Sequence, residues 1–453
     1  MPLEFIVLLG VFALVAVLFL FAKRPIYEVM AISLLFVVVA SGQWESAWEY
    51  VTYPATSSLF YVIFAFLVVA TIFDATGAVD RIIQIMLAII GRIPGGAGYV
   101  ALLASTFMAS LSGTGPGNVA ASGVFTIPMM KRTGFPRHLA ATTEMSSSML
   151  GNIIPPAGIV FLSFGIYQET SGEELTLSTW MLAAYIIGAW FFLQRLITLF
   201  ILAKVNKVKP VPRDQIPALG ATLKEGWSAL FLPLIIFIPL LLDSQAPEFL
   251  VTRLGEDGAE AFSSSVLMFT PALAAAYAIL IGRKKFSPGK NGAKELYSVI
   301  SKSLKSVVPI SATIYFAYAT SEALANLGVD DAIQDLFVSL NTPLWVLIVL
   351  VPILFGVLGM VLPGSAQIAI LGSAMITVFG TLGGDPLVFA ALLPAMTGAL
   401  EGMTPPLALG LYVAMGIADS DFGKTVKYAL LWIVPHVLFS MLLLAGILPI
   451  LVI

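Results

Sequence analysis

Four short interruptions of apolar sequence hold most of the groups in this chain that could bind an ion or a small polar molecule. The first is Ser112-Gly113-Thr114-Gly115-Pro116-Gly117-Asn118. Its glycines and proline interrupt a helix and free backbone carbonyl and N–H groups, which at bilayer depth must be buried in protein or line a cavity. Each flanking apolar stretch is about half of the ~20 residues that a spanning helix needs. We therefore predict a re-entrant helical hairpin over 97–131 with a polar tip; the alternative is two short helices joined by a surface turn.

Three later interruptions have the same character. They are Gly151-Asn152-Ile153-Ile154-Pro155-Pro156, Pro363-Gly364-Ser365-Ala366-Gln367 and Gly402-Met403-Thr404-Pro405-Pro406. Two consecutive prolines cannot donate hydrogen bonds inside a helix, so each Pro-Pro pair should unwind its helix over about four residues. The sequence thus predicts a broken helix over 139–167, a second hairpin over 342–380 and a second broken helix over 390–417.

The composition is that of an all-α polytopic membrane protein. Of the 453 residues 59% are hydrophobic and 11% are charged, with a mean hydropathy of +0.98, whereas soluble domains carry about 25% charged residues. The chain has no cysteine, and its two histidines, His138 and His436, are far apart in sequence. A disulfide framework, a thiolate metal site and a His-based catalytic centre are therefore not expected. The apolar N-terminus lacks a basic start and a small-residue cleavage site, which favours a retained first helix over a signal peptide.

The distribution of basic residues predicts the topology. The first helix ends at Lys23-Arg24, which the positive-inside rule assigns to the cytoplasm, so the N-terminus should lie outside. Arg92 and Lys131-Arg132 flank the first hairpin, which should therefore open to the cytoplasm. Acidic residues flank the second hairpin, which should open to the outside.

The order of elements repeats once along the chain. Each half contains a spanning helix, an amphipathic arm, a hairpin, a Pro-Pro-broken helix and another spanning helix, and the two hairpins have opposite charge flanks. We predict inverted-topology repeats over 57–203 and 307–453, with N-terminal scaffold helices at 1–56 and a linker with scaffold helices at 204–306. Paired interruptions at corresponding positions indicate a secondary transporter with a binding site near the membrane midplane.

Several of these segments resemble one family, the large membrane (M) subunits of tripartite ATP-independent periplasmic (TRAP) transporters. The similar segments are Ser110–Asn118, Phe125–Phe135, Glu144–Pro156, Gly402–Ala408 and Gly416–Asp419. The resemblance extends over nearly the whole chain and is closest to the branch whose receptor is called TRAP-associated extracytoplasmic immunogenic (TAXI). Members of that branch often carry the small membrane subunit fused ahead of this region, and we expect a separate protein here.

The resemblance implies an elevator transporter of the ion-transporter superfamily rather than an enzyme. Such a system imports a small organic acid, for example a dicarboxylate, by symport with sodium across the bacterial or archaeal inner membrane. Its partners are a periplasmic substrate-binding protein and a small membrane (Q-type) subunit. The coupling ion is sodium, and no organic cofactor is expected.

Sodium prefers oxygen ligands, which the interruptions provide as unwound carbonyls and hydroxyls. The predicted sodium ligands are Ser112, Gly113, Thr114, Gly151, Ile154, Gly364, Ser365, Gly402 and Thr404. No Lys or Arg lies within the interruptions, so half-helix N-termini should bind the substrate carboxylate. The predicted substrate-binding residues are Thr114, Gly115, Gly117, Asn118, Asn152, Gly364, Ser365, Gln367 and Thr404. For each hydroxyl the alternative is a hydrogen bond back to its own helix.

Two acidic residues, Glu144 and Glu401, precede the Pro-Pro breaks in apolar surroundings. Carboxylates inside a membrane are usually functional because burying their charge is unfavourable. We expect both to support the sodium sites. The alternatives are that they carry a coupling proton, or that they only accept N–H groups exposed by the unwinding.

Other classes of function fit the sequence less well. An intramembrane enzyme needs a nucleophile–base pair or clustered metal ligands, and a channel needs one symmetric filter rather than two different hairpins. The remaining alternative is a carboxylate or ion exchanger of the same fold that works without a receptor and is coupled to sodium or to protons.

Overall fold

The computed structural model describes residues 2–172, 175–283, 292–340, 342–405 and 407–450. Within these ranges the chain is helical and contains no β-strand. The helices of the first half are α1 (Leu3–Ala16), α2 (Ile26–Ser41), α3 (Ala47–Thr56), α4 (Ser58–Thr76), α5 (Ala78–Ile90), α6 (Gly96–Ser112), α7 (Gly115–Arg132), α8 (Arg137–Gly151), α9 (Gly158–Ser171) and α10 (Leu177–Val205). A π-helical segment, Val17–Phe21, extends α1 to the predicted end of the first helix.

The second half begins with connecting helices and ends with the second hairpin and its broken helix. The helices are α11 (Leu219–Gly226), α12 (Phe231–Gln245), α13 (Pro247–Leu254), α14 (Glu256–Gly282), α15 (Gly292–Asn326), α16 (Val329–Ser339), α17 (Leu344–Leu358), α18 (Gly364–Thr381), α19 (Pro386–Met396), α20 (Gly398–Glu401), α21 (Leu409–Ala418) and α22 (Phe422–Leu444). The predicted division between 306 and 307 falls inside α15, because this helix continues through Pro309 without a break.

Each predicted interruption coincides with a helix boundary. The first hairpin is α6–α7, the first broken helix α8–α9, and the second hairpin α17–α18. The second broken helix is interrupted twice, at Thr397 and again over 402–408. The amphipathic arms α5 and α16 each begin after a glycine in the left-handed region, Gly77 at φ +66° and Gly328 at φ +86°. Residues that carry a Cβ rarely adopt this backbone conformation.

Several helices are long and apolar enough to cross a membrane. In the described part of the chain four stretches meet this condition: Leu177–Val205, Arg213–Asp243, Gly364–Thr381 and Phe422–Leu444. Large apolar side chains such as Phe200, Val205 and Val434 are exposed on the outside of these helices. An apolar outer surface on an all-helical chain is the arrangement expected of a multi-pass membrane protein.

The arms of the first hairpin are longer than predicted. Helices α6 and α7 contain 17 and 18 residues, which corresponds to about 25 Å at 1.5 Å per residue. The prediction of half-length arms for this hairpin is therefore wrong. Polar residues near the tip continue the helices because neighbouring helices satisfy them: Asn118, for example, donates from Nδ2 to the Ser105 carbonyl at 3.0 Å.

The two ends of the first hairpin lie next to each other. The Gly91 carbonyl, just before α6, accepts from the Val211 N–H at 3.0 Å, and the Thr133 carbonyl, just after α7, accepts from the Lys209 N–H at 2.8 Å. One short segment of the basic linker therefore bonds to both ends. At the tip, Gly115 is buried, Gly113, Thr114 and Pro116 are partly exposed, and Gly117 is exposed.

We expect cysteine labelling to report the side on which each hairpin opens. The chain has no native cysteine, so single variants at the exposed positions Pro94, Arg132, Leu340 and Thr381 can be labelled without background. Pro94→Cys and Arg132→Cys should react only from the cytoplasm, because basic residues surround them. Leu340→Cys and Thr381→Cys should react only from outside. Opposite labelling of the two positions of one hairpin would contradict the re-entrant arrangement.

Candidate functional site

The tip of the first hairpin is shaped by backbone caps. Gly113 ends α6 at φ +66°, and its N–H donates to the Ala109 carbonyl at 2.9 Å. Thr114 then caps α7: its backbone is extended and its Oγ1 accepts from the Gly117 N–H at 3.4 Å. The predicted ligand Thr114 thus also holds the start of its own helix.

A fully buried carboxylate holds the first hairpin against α8. Glu144 is 0% exposed, and its carboxylate lies within hydrogen-bonding distance of four hydroxyl groups. These belong to Ser105 on α6, Ser122 and Thr126 on α7, and Ser148 on α8. A carboxylate surrounded by hydroxyl donors is stabilised in its charged form, and three helices are joined through it.

Asn118 belongs to the same network rather than to the exposed tip. The Asn118 side chain is 2% exposed and turns inward, donating to the Ser105 carbonyl and to Ser148 Oγ at 2.8 Å. The structure therefore places this predicted substrate residue in the support of the hairpin. Gly117, also predicted for substrate, is exposed at the tip.

The Met149 side chain fills the space between the first tip and the second break. A Cβ placed on Gly115 would lie 1.5 Å from Met149 Cε, and a Cβ placed on Gly402 would lie 1.9 Å from Met149 Sδ. A side chain fits at either position only if the Met149 side chain moves aside. Met149 is 0% exposed and lies at the end of α8, beside the first break.

Gly398 joins the first break to the second tip. Asn152 donates from Nδ2 to the Gly398 carbonyl at 3.3 Å. On the other side, a Cβ placed on Gly364 would lie 2.5 Å from the Gly398 nitrogen. The second break also bonds to this tip, because the Leu407 N–H donates to the Met360 carbonyl at 3.1 Å. All four interruptions thus meet around Met149 and Gly398.

Two amide oxygens in this region have no partner. Asn152 Oδ1, in the first break, and Gln367 Oε1, in the first turn of α18, are buried and make no hydrogen bond to any described residue. Each amide is oriented by its nitrogen, which donates to the Gly398 carbonyl and to the Leu362 carbonyl respectively. A buried carbonyl oxygen without a donor is unfavourable unless a cation, a water or a ligand binds it.

Other predicted ligands already make local hydrogen bonds. The Gly151 and Ile154 carbonyls accept from turns inside the first break, both at 3.2 Å, and the Gly402 carbonyl accepts from the Leu411 N–H at 3.0 Å. Thr404 donates back to the Leu400 carbonyl at 2.8 Å, as the alternative for hydroxyls anticipated. Each carbonyl keeps a second lone pair that could still bind an ion.

The remaining predicted site residues show, in the part of the chain that the structure describes, no contact that bears on ligand binding. Ser365 is only partly buried. The Ser112 side chain and the whole of Pro406 lie outside the described residues. Pro155, Pro156 and Pro405 lie in the breaks, as predicted.

The second acidic residue has a different environment from the first. Glu401 ends α20, and its Oε2 accepts from the Gly364 N–H at the start of α18. A carboxylate at a helix N-terminus is favoured by the helix dipole and by the free N–H groups. The Gly364 N–H, predicted to bind substrate, is therefore already engaged. Glu144, by contrast, lies seven residues before the end of α8 at Gly151 and not beside the break.

Three contributors to this region are not among the predicted site residues: Gly398, Arg195 and His436. Gly398 marks a second interruption, which the Pro394-to-Gly398 spacing could have signalled. Arg195 is a buried cation inside the apolar helix α10, and an intramembrane charge is itself a signal of function. His436 lies next to Arg195, and its local sequence carries no signal of this contact.

Comparison with known proteins gives one consistent result. The sequence matches the family described as "Tripartite ATP-independent periplasmic transporter, DctM component" over residues 7–451. It is 26% identical to the C4-dicarboxylate TRAP transporter large permease protein DctM of Pseudomonas aeruginosa, over 83% of this chain and 81% of that protein. It is 27% identical to the 2,3-diketo-L-gulonate TRAP transporter large permease protein YiaN of Escherichia coli, over 86% and 84%.

The fold is also similar to that of a solved structure. Neisseria gonorrhoeae MtrF, described as illuminating a class of antimetabolite efflux pumps, superimposes with a TM-score of 0.63 over 92% of this chain and 95% of that chain. The two sequences are 14% identical, so this likeness concerns the fold alone.

We expect Gly402→Ala to destabilise the protein through its clash with Met149. Forcing a methyl group into a packed interior costs about 1–3 kcal/mol, which thermal unfolding in detergent would detect. Gly416→Ala is the matched control, because no atom lies within 4 Å of its added Cβ. Combining Gly402→Ala with Met149→Ala should remove the clash, so the double variant should lose less stability than the two single losses added together. A Gly402→Ala variant as stable as the control would contradict the observed position of Met149.

Proposed function

Because the chain belongs to the DctM component family of tripartite ATP-independent periplasmic transporters, we propose that it imports a small organic acid by symport with sodium. Family members are transporter permeases rather than enzymes. The chain is accordingly a multi-pass protein of the bacterial inner membrane and a substrate-binding-protein-dependent secondary transporter. The coupling ion, the movement and the partners are proposed below.

The observation that carries the sodium proposal is the pair of unpartnered amide oxygens. Asn152 Oδ1 and Gln367 Oε1 are buried where the four interruptions meet, one from each half of the chain. Sodium is bound in such transporters by unwound carbonyls and polar side chains near the membrane midplane. Each amide oxygen, together with neighbouring backbone carbonyls, would provide such ligands: Gly151 and Ile154 in one half, Gly402 in the other.

The substrate anion needs N–H donors, because the interruptions contain no Lys or Arg. Half-helix N-termini provide donors at the starts of α7 and α9, where the helix dipole also favours negative charge. Glu401 already occupies the start of α18. We therefore propose that the carboxylate binds towards the first tip, near Thr114 and Gly115, rather than at the second tip.

Glu144 and Glu401 support the site in this proposal and do not carry protons. Four hydroxyl groups surround the Glu144 carboxylate, and a backbone N–H binds Glu401. Both sets of donors stabilise the charged form. Burial of Glu144 disfavours its charge, so the charged, supporting form in this proposal depends on these hydroxyl donors.

We propose inverted repeats and an elevator movement. The base of the first hairpin bonds to the end of α21: Lys131 donates to the Ala418 carbonyl at 2.9 Å, and Arg137 forms an ion pair with Asp419. The first hairpin and the second broken helix are therefore joined at the surface as well as at the tip. A unit joined in this way can move as one body against the remaining helices, carrying its sites with it.

The proposed partners are a periplasmic substrate-binding protein of the TAXI type and a separate small membrane subunit. The TAXI assignment rests on the resemblance of segments such as Gly402–Ala408. With the N-terminus outside, the receptor would dock on the face onto which the second hairpin opens. Saturable uptake by the purified chain without receptor would instead favour the exchanger.

We expect removal of either amide to weaken sodium binding. Asn152→Leu and Gln367→Met keep approximate side-chain size but remove the unpartnered oxygen, and each should raise the sodium concentration for half-maximal uptake about tenfold, since a lost interaction with a charged group is worth about 1.5–3 kcal/mol. Asn326→Leu, at an exposed position, is the matched control. Unchanged sodium dependence in both variants would rule out the amides as ligands.

We expect sodium, and not protons, to drive uptake. In proteoliposomes that contain the complete system, a sodium gradient at constant pH should drive accumulation, and a pH gradient without sodium should not. Glu144→Gln should keep sodium-driven uptake at a reduced rate, because the amide oxygen still accepts from hydroxyl groups. Glu248→Gln, exposed and remote in α13, is the control. Accumulation driven by pH alone, abolished by Glu144→Gln, would show proton coupling instead.

A further inference from the structure

A buried cation lies between the two halves of the chain, outside the site described above. Arg195 on α10 is 0% exposed. The ion pairs of the described residues are Arg24–Glu28 and Arg137–Asp419, so no described carboxylate lies within ion-pair distance of Arg195. Burying a guanidinium in a membrane without an ion pair is strongly unfavourable, and residues of this kind are usually retained for function.

The Arg195 guanidinium bonds to two other helices. Its Nε donates to the Ser146 carbonyl of α8 at 3.1 Å, and its Nη1 lies 3.1 Å from Nδ1 of His436 on α22. Gln194 Oε1 accepts a further bond from Nη1 at 2.9 Å. The cation therefore connects helices from both halves of the chain.

The carbonyl of Ala395 determines the tautomer of His436. His436 Nε2 is 2.8 Å from this oxygen, in the last turn of α19. A carbonyl can only accept, so Nε2 carries the hydrogen and Nδ1 keeps the lone pair that accepts from Arg195. The ring is also stacked on Phe191, with centroids 4.2 Å apart. A continuous set of hydrogen bonds thus runs from the Ser146 carbonyl through Arg195 and His436 to the Ala395 carbonyl.

These two carbonyls belong to the C-terminal parts of the two helices that lead into the breaks. Ser146 lies five residues before α8 ends at Gly151, and Ala395 immediately precedes Met396, the last residue of α19. Beyond the two ends, Asn152 bonds to the Gly398 carbonyl. The C-terminal end of α19 carries a partial negative charge, which the His436 N–H at Ala395 stabilises.

We propose that Arg195 and His436 are positioning residues that hold the ends of α8 and α19 together and thereby set the geometry of the ion site at Asn152. The transport part of this inference rests on the proposed function; the structural part does not.

Two substitutions of His436 separate hydrogen bonding from packing. His436→Phe retains an aromatic ring to stack on Phe191 but removes both hydrogen bonds. His436→Gln retains one acceptor for Arg195 and one donor for Ala395. His138→Phe, at the only other histidine, is the matched control. Arg195→Lys serves as a second test should His436→Phe fail to fold, since lysine keeps the charge but has only one nitrogen and cannot reproduce both bonds.

Hydrogen exchange tests the structural part without any transport. Exchange of the backbone amides in 147–157 and 396–405 should be about tenfold faster in His436→Phe and in Arg195→Lys, because lost hydrogen bonds release both helix ends. His436→Gln and His138→Phe should exchange at the rate of the wild type. Unchanged exchange in His436→Phe, or exchange in His436→Gln as fast as in His436→Phe, would overturn the positioning role.

Uptake by the complete system tests the consequence for the ion site. His436→Phe should raise the sodium concentration for half-maximal uptake about tenfold, with the maximal rate per folded protein nearly unchanged, and His436→Gln should restore it. An equal loss of maximal rate with unchanged sodium dependence would overturn the inference. If the wild type shows no sodium dependence, the proposed function fails, and hydrogen exchange still decides whether Arg195 and His436 hold the helix ends.

Discussion

The structure depends on one constraint: a backbone polar group at bilayer depth needs a partner inside the protein. This chain interrupts its helices four times, and the interruptions meet one another rather than lipid. The Gly398 carbonyl accepts from Asn152, the Met360 carbonyl from the Leu407 N–H, and the Gly364 N–H donates to Glu401. Groups in one interruption thus serve as hydrogen-bond partners for groups in another. The amide oxygens of Asn152 and Gln367 remain buried without a partner among the described residues.

The two halves satisfy this constraint differently. In the first half, hydroxyl groups from three helices surround Glu144 and hold the hairpin against α8. In the second half, Glu401 caps α18 at the edge of the break. One carboxylate therefore fixes helix packing and the other fixes a helix start. The two halves, with a similar order of elements, thus have different polar interiors.

The packing of the Met149 side chain also constrains the region where the interruptions meet. The Met149 side chain occupies the space that a side chain at Gly115 or Gly402 would need, and its flexible thioether can adapt to small displacements of either segment. The Arg195–His436 bonds lie behind this packing, at the helix ends of α8 and α19.

The sequence by itself determined the membrane class, the four interruptions and the order of the hairpins and broken helices, because each follows from local information: hydropathy, Gly and Pro positions, and charge near helix ends. The sequence patterns predicted that polar residues end the helices of the first hairpin earlier than they do. They also placed Asn118 at the tip, although the Asn118 side chain turns inward. Only the tertiary structure decided which groups meet. Met149 contacts Gly402, Asn152 bonds Gly398 and Arg195 bonds His436, 241 positions away. Such pairs depend on how helices from distant parts of the chain pack, and neither periodicity nor composition records that arrangement.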